Sequence, residues 1–321
     1  MTSSTSALVP FQVQKQEIIS NKSTQYVVLD VLGEGSFGKV SKCINLNTSK
    51  TTAIKIFKDI TDHKEEVRML EQLRALDPEK NNLLEYIDSF IVQDSCPCVT
   101  FEMLDTSLWD FVLQRRAPLT PNEIRPIARQ LLVAFEALKS IGFIHTDLKP
   151  DNVMFVNHKD EPFKVKLIDF GLAMPASEVK TGMIMQPCGY RAPEVDLGLP
   201  ICEAIDMWGL GCTLAFLFFG QDIFSGESAY NSMKTEYYTP SYSAWRLKTP
   251  REEDIMAFSN LLEGLLCPDA KRRITPGQTY ITVILHVQTN RFSFSNKSTQ
   301  YLVLDFIGEG CFGRLYELVC H

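Results

Sequence analysis

Short hydrophobic runs rich in β-branched and aromatic residues, separated by polar stretches, recur from Tyr26 to about Thr100 and predict strands. One stretch among them repeats its hydrophobic residues at a helical spacing instead. It predicts a helix from about Asp62 to Leu76, with Asp62 as a candidate cap and a buried stripe of Val67, Leu70, Leu73 and Leu76. The predicted strands are the runs YVVLDVL, VSKCIN, TTAIKIF, LLEYIDSFIV and CVTFEM.

Long helical patterns take over after Met103. The clearest begins at Thr120, where TPNE offers a capping hydroxyl, a proline in the first turn and a glutamate three residues after the cap. Gly142 is the expected end of that helix. A sheet-rich lobe of about 80 residues followed by a helical lobe of about 170 predicts an α+β protein, with the joint near Glu102 to Asp105.

Composition narrows the functional class. The 321 residues are 45% hydrophobic, enough for one large core or two modest ones, and the net charge of -7 argues against sequence-independent binding of nucleic acid. The amino terminus lacks the basic start and apolar core of a signal peptide, and the longest apolar run, from Trp208 to Phe219, is too short to span a bilayer. Small molecules or other proteins are the expected partners.

The nine cysteines show neither CxxC pairs nor metal-ligand spacing. We expect reduced thiols in an intracellular protein. The closest pair, Cys96 and Cys98, flanks a proline and is predicted to lie in a loop.

The run GEGSFGKV places Gly33, Gly35 and Gly38 between two predicted strands. A dinucleotide-binding turn of this spacing must open into a helix, whereas KVSKCINL continues as a strand. Glycines in a hairpin let backbone N–H groups approach phosphate closely, because no Cβ stands in the way. The pattern favours a phosphate-binding hairpin, with a merely flexible hairpin as the alternative.

Lys55 lies in the apolar run TTAIKIF. A lysine on a strand usually faces solvent, but AIK is the signature in which protein kinases pair this lysine with nucleotide phosphates. The lysine needs a carboxylate, and Glu65 and Glu66 are the candidates. Because Glu66 is four residues before Leu70 and seven before Leu73, on the buried stripe, helical geometry favours Glu66.

Three further motifs follow in order, namely IHTDLKPDN, IDFG and YRAPE. With the glycine loop and the AIK run, they give a sequence that resembles a protein kinase over about residues 26–276. The resemblance implies a two-lobed protein kinase fold. A small β-rich N-lobe with one key helix would cover about 26–101, followed by a hinge at about 102–105 and a larger helical C-lobe at about 106–276. An N-terminal extension at 1–25 would precede this domain, and a tail at 277–321 would follow it.

The resemblance assigns each task of phosphoryl transfer to a residue. Asp147 would accept the proton of the substrate hydroxyl, and Lys149 would neutralise the moving phosphoryl group. Asn152 and Asp169 would hold magnesium, and Lys55 would contact the α- and β-phosphates of ATP.

By the same resemblance, the hinge backbone from Glu102 to Leu104 would read the adenine edge, with Phe101 behind it. Phe170 would pack beneath the helix that bears Glu66, and Gly171 would permit the turn after the metal ligand. The implied nucleotide-binding residues are Gly33, Glu34, Gly35, Ser36, Phe37, Gly38, Val40, Ala53, Lys55, Phe101, Glu102, Met103, Leu104, Phe155 and Ile168, of which Val40, Ala53, Phe155 and Ile168 would close the apolar slot around the ring.

Lys149, two residues after the base, matches serine/threonine kinases rather than tyrosine kinases. The runs FEMLDTSLWDFV, IHTDLKPDNVMFV, GLPICEAIDMWGLGC and WRLKTP narrow the resemblance to the homeodomain-interacting protein kinases, near the dual-specificity tyrosine-regulated kinases. Thr146 fits that group, in which the residue between the catalytic histidine and aspartate is typically not arginine.

The resemblance breaks in the activation segment, which in that group carries an autophosphorylated tyrosine near an arginine. In MIMQPCGYRAPE, Ile184 stands at the tyrosine position and Cys188 at the arginine position. Losing one charge-assisted contact costs about 1.5 to 3 kcal/mol, so we expect activity that is weakened or constitutively set. Ser177 and Thr181 remain as candidate phosphorylation sites.

A second break lies at about 235–255, where about twenty residues of the usual substrate-docking region are missing. The chain keeps structural residues of the family pattern on both sides of this break. Arg273 matches the arginine that pairs with the glutamate of the APE motif, here Glu194, and Asp206 would brace the catalytic loop. Past Pro276 the resemblance stops.

The tail repeats the beginning of the chain. SNKSTQYLVLDFIGEGCFG from Ser295 agrees with SNKSTQYVVLDVLGEGSFG from Ser20 at 15 of 19 positions. The copy has Gly308, Gly310 and Gly313 but no AIK lysine or catalytic loop, and it is too short to form its own core. We interpret it as a relic of joined tandem kinase genes, with a pseudosubstrate-like tail as the alternative.

The sequence leads to a serine/threonine kinase that uses ATP and Mg2+ and acts on protein substrates, with transcriptional regulators implied by resemblance only. No direct nucleic-acid or membrane partner is expected, and the expected location is intracellular, in the nucleus or the cytoplasm. One alternative is a nucleotide-binding pseudokinase that serves as a scaffold. The other is a damaged chain that does not fold stably.

Overall fold

The computed structural model describes residues 14–21, 23–92, 96–224 and 252–279. These ranges fall in one compact unit with the bounds Met1–Val283. Most of the region predicted to be shortened, at about 235–255, lies outside the described residues. The repeated segment that begins at Ser295 lies wholly outside them, so both remain predictions.

The first half of the described chain forms one antiparallel sheet of six strands in the order β1-β2-β3-β4-β6-β5. All five strands predicted from the β-branched and aromatic runs are confirmed. β1 was not predicted, because three residues are too few to show a period; it pairs with β2, and its Ile19 is fully buried opposite Tyr26. The strands are β1 (Ile18–Ser20), β2 (Gln25–Glu34), β3 (Gly38–Asn45), β4 (Thr51–Phe57), β5 (Tyr86–Val92) and β6 (Cys96–Glu102).

The loop predicted around Cys96 and Cys98 is wrong, because both residues belong to β6. Pro97 has no N–H to give to a neighbouring strand, and it is tolerated because β4 pairs with β6 only from Cys98 onward. The described cysteines form no disulfide with one another. Burial raises the pKa of the Cys43 thiol to about 12, so this group stays protonated.

The helix α1 (Ile60–Leu73) lies between β4 and β5. Its predicted bounds are wrong by two residues at the start and three at the end. The helix starts earlier because Asp59, rather than Asp62, is the cap, and its carboxylate accepts a hydrogen bond from the backbone N–H of Thr61 at 2.5 Å. The buried face of α1 consists of His63, Glu66, Met69, Leu70 and Leu73, whereas the predicted Val67 and Leu76 are only half-buried.

The second half is mostly helical. Thr120 and Glu123 form the predicted capping box, and a left-handed Gly142 follows the helix that they begin. The helices are α2 (Leu108–Arg115), α3 (Pro121–Ser140), α4 (Pro193–Asp196), α5 (Ala204–Phe219) and α6 (Glu252–Leu265). Two short two-stranded sheets pair β7 (Phe143–Ile144) with β10 (Met174–Pro175) and β8 (Val153–Phe155) with β9 (Val165–Leu167), and 3-10 turns cover Pro150–Asn152, Ala176–Glu178 and Cys188–Tyr190.

α5 is hydrophobic on all sides and buried along almost its whole length, which makes it the centre of the helical half. None of the described helices is both long enough and apolar enough to cross a membrane. The largest core cluster contains residues of both halves, among them Leu70 and Phe101 on one side and Phe155 and Leu167 on the other. The two halves therefore share one hydrophobic core beneath the joint.

A buried ion pair joins Glu194 on α4 with Arg273 in the helical half. Arg273 donates from both terminal guanidinium nitrogens to the two carboxylate oxygens of Glu194, at 2.7 and 2.9 Å, and both side chains are at most 3% exposed. The pairing expected from the sequence is confirmed. The guanidinium also lies 5.2 Å from the ring centre of Trp208, which places a cation over an aromatic face.

We predict that Arg273→Ala lowers the free energy of unfolding by about 3 to 5 kcal/mol, because it leaves the Glu194 carboxylate buried without a counter-charge. Urea unfolding followed by fluorescence measures the change. Lys139→Ala is the matched control, since Lys139 pairs with Glu203 at 3.1 Å on the surface and its loss costs less than about 1 kcal/mol. Equal losses in the two variants would contradict the prediction.

Candidate functional site

A cleft of about 350 Å³ lies between the sheet and the helical half, and most of its lining is apolar. This volume is in the range of small-molecule sites. The cleft brings together 13 of the 15 residues that the resemblance assigned to nucleotide binding, all except Glu34 and Phe155. It is lined by Leu32, Gly33, Gly35, Ser36, Phe37, Gly38, Val40, Ala53, Lys55, Glu66, Leu70, Leu84, Phe101, Glu102, Met103, Leu104, Met154, Ile168, Asp169 and Phe170.

Phe155 is a correction, because the structure places Met154 in the apolar slot instead. Successive residues of a strand point to opposite faces, so only one of the two can reach the cleft. Phe155 is fully buried in the helical half, where its ring packs against Phe111 and His158 at centroid distances of 4.8 and 4.5 Å. The register of β8, which the sequence did not reveal, decides the matter.

Glu34 also lies outside the cleft. Its exposed carboxylate pairs with Lys39 at 3.3 Å and with Lys58 at 3.2 Å. Hydrogen bonds from Lys58 and Lys39 lower the pKa of Glu34, so the carboxylate stays charged. Sequence reasoning also missed Leu32 and Leu84 as lining residues, since nothing in their local pattern points to a cleft.

The three glycines of the hairpin serve two different purposes. A Cβ at Gly33 or Gly35 would meet no atom within 4 Å, so the backbone there faces open space above the cleft. A Cβ at Gly38 would lie 2.1 Å from the carbonyl oxygen of Ile56, a distance that no side chain tolerates. Gly38 is therefore required by the close approach of β3 to β4.

Lys55 projects from β4 into the cleft between two carboxylates. Its Nζ lies 2.6 Å from Oε2 of Glu66 and 3.4 Å from Oδ1 of Asp169. Glu65, the other candidate, is exposed. Burial by itself would lower the pKa of Lys55, but Asp169 and Glu66 outweigh it, and the pKa is raised.

The two carboxylates respond differently to this site. Burial raises the pKa of Glu66 in spite of Lys55. Burial also opposes ionisation of Asp169, but Lys55 and His145 outweigh it and lower the pKa of Asp169. Asp169 is therefore a charged oxygen donor at the inner end of the cleft.

Asp147, Lys149 and Asn152 form a second group at the end of β7. Nζ of Lys149 lies 3.1 Å from Oδ2 of Asp147. The amide nitrogen of Asn152 donates to the same oxygen at 2.6 Å and to the backbone carbonyl of Asp147 at 2.8 Å. Because its nitrogen is used in this way, Asn152 keeps its amide oxygen as an acceptor.

A buried carboxylate fixes the loop that carries Asp147. Asp206 on α5 accepts hydrogen bonds from the backbone N–H groups of His145 at 2.8 Å and Thr146 at 3.0 Å. Thr146 has a left-handed backbone with φ of 65°, which is unfavourable for a β-branched residue, and its hydroxyl donates to the carbonyl of Leu172 at 2.7 Å. Asp206 thus braces the loop, as the sequence predicted.

Gly171 does not make the turn that the resemblance expected of it. The turn is made by Asp169, whose φ is 60°, whereas Gly171 is not in the left-handed region. A Cβ at Gly171 would lie 3.0 Å from Oε2 of Glu66, so the glycine provides room for this carboxylate beside Lys55. Phe170 is 1% exposed and packs edge-on against His145 with ring centres 5.3 Å apart.

The activation segment has a defined path although the expected tyrosine is absent. Ile184, at that position, is 81% exposed. Gln186 has a left-handed backbone, and its side chain donates to the carbonyl of Ile205 and accepts from the N–H of Ala192, both at 2.9 Å. Arg191 donates to the carbonyl of Gln186 at 3.0 Å. Contacts to main-chain groups, together with an ion pair between Arg191 and Asp196 at 3.2 Å, therefore fix this part of the segment without a phosphate.

A family model described as protein kinase domain matches residues 26–286 of the chain. Homeodomain-interacting protein kinase 1 of Mus musculus is 37% identical over 274 residues, which are 76% of this chain and 23% of that protein. The protein of the same name in Caenorhabditis elegans is 42% identical over 230 residues, which are 70% of this chain and 27% of that protein. Homeodomain-interacting protein kinase 2 of Mesocricetus auratus is 36% identical over 273 residues, which are 76% of this chain and 23% of that protein. The chain spans about a quarter of the length of these curated relatives.

We predict that Lys55→Met destabilises the fold in a pH-dependent way. The folded-state pKa of Glu66 is raised above its ordinary value of 4.5, so the folded state gains from its protonation at low pH and loses this gain as the pH rises. Without Lys55 that pKa rises further, and the cation that lowers the pKa of Asp169 is lost. The cost of the substitution is therefore small near pH 4 and grows toward pH 8.

Urea unfolding of the wild type and Lys55→Met at several pH values measures this cost. The exposed Lys50 provides the control, since Lys50→Met should give a small difference that does not change with pH. A cost of Lys55→Met that is the same at every pH would refute the coupling to the carboxylates.

Proposed function

This chain belongs to the protein kinase family, and from that premise we propose that it is a serine/threonine kinase of the homeodomain-interacting type that transfers the γ-phosphate of ATP to a protein hydroxyl. The observation that carries the proposal is the joint presence of two assembled groups. Lys55 is ion-paired to Glu66 and Asp169 inside the cleft, and Asp147 is hydrogen-bonded to Asn152 and ion-paired to Lys149. Phosphoryl transfer depends mainly on such positioning and on charge neutralisation.

The cleft fits an adenine nucleotide. Val40, Ala53, Met154 and Ile168 contribute apolar walls on both sides of the slot, and the backbone of residues 102–104 borders it. We propose that this backbone hydrogen-bonds the adenine edge, with Phe101 at the back, and that the open backbone of the hairpin approaches the phosphates.

Two oxygen donors fit Mg2+: Asp169 lines the inner end of the cleft, and Asn152 lies beside it, where its backbone carbonyl accepts a hydrogen bond from the lining residue Ile168 at 3.0 Å. The carboxylate of Asp169 and the amide oxygen of Asn152 are hard ligands of the kind that magnesium prefers, and one or two protein ligands suffice when phosphate oxygens supply others. Bound magnesium supplies charge neutralisation of the phosphates. In the proposed mechanism Asp169 and Asn152 would hold it, and Lys55 would neutralise charge on the α- and β-phosphates.

Asp147 has the position of a proton acceptor. Asp147 is 7% exposed, and Asn152 and Lys149 fix the orientation of its carboxylate. We propose that Oδ1 or Oδ2 accepts the proton of the attacking serine or threonine hydroxyl as the new O–P bond forms. Lys149 then neutralises the negative charge of the transferred group, and its presence two residues after Asp147 supports serine and threonine over tyrosine.

The alternative of a pseudokinase scaffold is not favoured, because the residues for the base, the lysine and the metal are all retained beside an open cleft. The catalytic domain that we propose spans about residues 26–276, with the hinge at about 102–105. The relatives are named for interaction with homeodomain proteins, and we infer that transcriptional regulators are among the substrates of this chain as well. We further propose an intracellular location, with the nucleus inferred from the proposed transcriptional substrates.

We predict magnesium-dependent transfer of the γ-phosphate from ATP to serine or threonine of a generic basic protein. Asp147→Asn should lower kcat by about 10² to 10⁴, because the proton acceptor is lost, and Asp169→Asn should remove the dependence on magnesium together with activity. Radiolabelled ATP and phosphoamino-acid separation measure both the rate and the acceptor.

The exposed Asp160 provides a matched control, because Asp160→Asn makes the same chemical change in a surface turn and should leave the rate unaltered. Circular dichroism verifies that every variant is folded. A folded wild-type chain that ATP and magnesium stabilise against heat, but that transfers no phosphate, would refute the enzyme and leave the scaffold.

A further inference from the structure

An ion pair connects α1 directly with the activation segment. Nη2 of Arg68 lies 2.8 Å from Oε1 of Glu178, and the two residues are 110 positions apart in the sequence. Among the ion pairs of the described ranges, it is the one that joins α1 to the chain after Gly171. Neither residue was singled out by sequence analysis.

The helical end of this pair lies close to the site. Arg68 follows Glu66 by two residues, so the two side chains leave α1 on different faces. Glu66 points to Lys55, whereas Arg68 points toward the activation segment. Any displacement of α1 that separates Glu66 from Lys55 must also move Arg68.

The other end is anchored in the helical half. β10 pairs with β7, and the N–H of Ala176 donates to the carbonyl of Gly142 at 2.8 Å. Glu178 follows two residues later, at the end of the 3-10 turn Ala176–Glu178. Arg68 therefore binds a carboxylate whose backbone is already fixed to the half of the molecule that carries Asp147.

We propose that the Arg68–Glu178 pair is a positioning device that holds α1, and with it Glu66, against the activation segment without phosphorylation. This inference rests on the proposed kinase function. The expected phosphorylated tyrosine is replaced by the exposed Ile184, whereas the charge of Glu178 needs no prior modification. The pair gives α1 and the activation segment an ionic contact that needs no phosphorylation.

The expected size of the effect is modest, because the two side chains are 58% and 51% exposed. Exposed pairs shift an equilibrium by at most about fivefold, and salt screens them. Loss of the pair should therefore reduce the rate by about two- to fivefold at low ionic strength. Near 1 M salt the difference should almost disappear.

Charge reversal provides the test, because it adds repulsion and permits rescue. Arg68→Glu should lower kcat of phosphate transfer at 20 mM NaCl by more than simple removal in Arg68→Gln. The double variant Arg68→Glu/Glu178→Arg should recover most of the wild-type rate, which a merely structural role of Arg68 would not allow. Lys64→Gln removes another exposed positive charge from α1 and should leave the rate unchanged.

Hydrogen exchange of residues 60–73 gives a readout that does not depend on activity. Arg68→Glu should exchange faster in this helix than the wild type, and the double variant should return to the wild-type rate. Arg68→Glu with wild-type kcat and exchange overturns the proposal. So does a double variant that remains as impaired as the single one.

A wild-type chain that transfers no phosphate would contradict the proposed function instead. In that case hydrogen exchange alone decides about the pair. Faster exchange in Arg68→Glu with recovery in the double variant supports the link between α1 and the activation segment, and unchanged exchange overturns it.

Discussion

An ammonium group held between two carboxylates is the interaction on which the cleft depends. Lys55 comes from β4, Glu66 from α1 and Asp169 from the loop after β9, so three elements must meet at one point. Removing one member of a buried ion pair costs several kcal/mol, since the remaining charge has no counter-charge. The position of α1 against the sheet and the course of the chain after Ile168 are therefore determined together. Gly171 takes part by leaving room for the Glu66 carboxylate.

The catalytic loop depends on a second buried carboxylate, which acts on the backbone. Asp206 accepts two consecutive N–H groups and holds Thr146 in a left-handed conformation that costs about 1 to 3 kcal/mol. Burial raises the pKa of Asp206, which shows how unfavourable its desolvation is. α5, which carries Asp206, is buried on all sides, so the carboxylate has a rigid support. The helical core thereby fixes the direction of Asp147.

The activation segment is ordered by contacts that need no phosphate. Gln186 and Arg191 bind main-chain groups in its second part, and the pairing of β10 with β7 holds its first part. These contacts lie within the helical half. The Arg68–Glu178 pair adds an ionic contact between α1 and the activation segment that does not depend on the uncharged Ile184.

The sequence by itself determined the elements whose residues form a local period or a local cap. The β-branched and aromatic runs indicated five strands, the TPNE box indicated the start of α3, and helical spacing separated Glu66 from Glu65. Ordered motifs likewise indicated the family and most residues of the cleft. These features depend on neighbours within a few positions, so sequence carries their signal.

Only the tertiary structure decided features that depend on contacts between distant residues. The register of β8 against β9 placed Met154 rather than Phe155 in the slot, and β1 exists because β2 lies beside it. Gly38 is needed because β3 approaches β4, a reason that its place in the glycine motif does not contain. The contact between Arg68 and Glu178 spans 110 positions and has no local pattern at either end. In each case the deciding partner is fixed by packing, and no period along the chain records it.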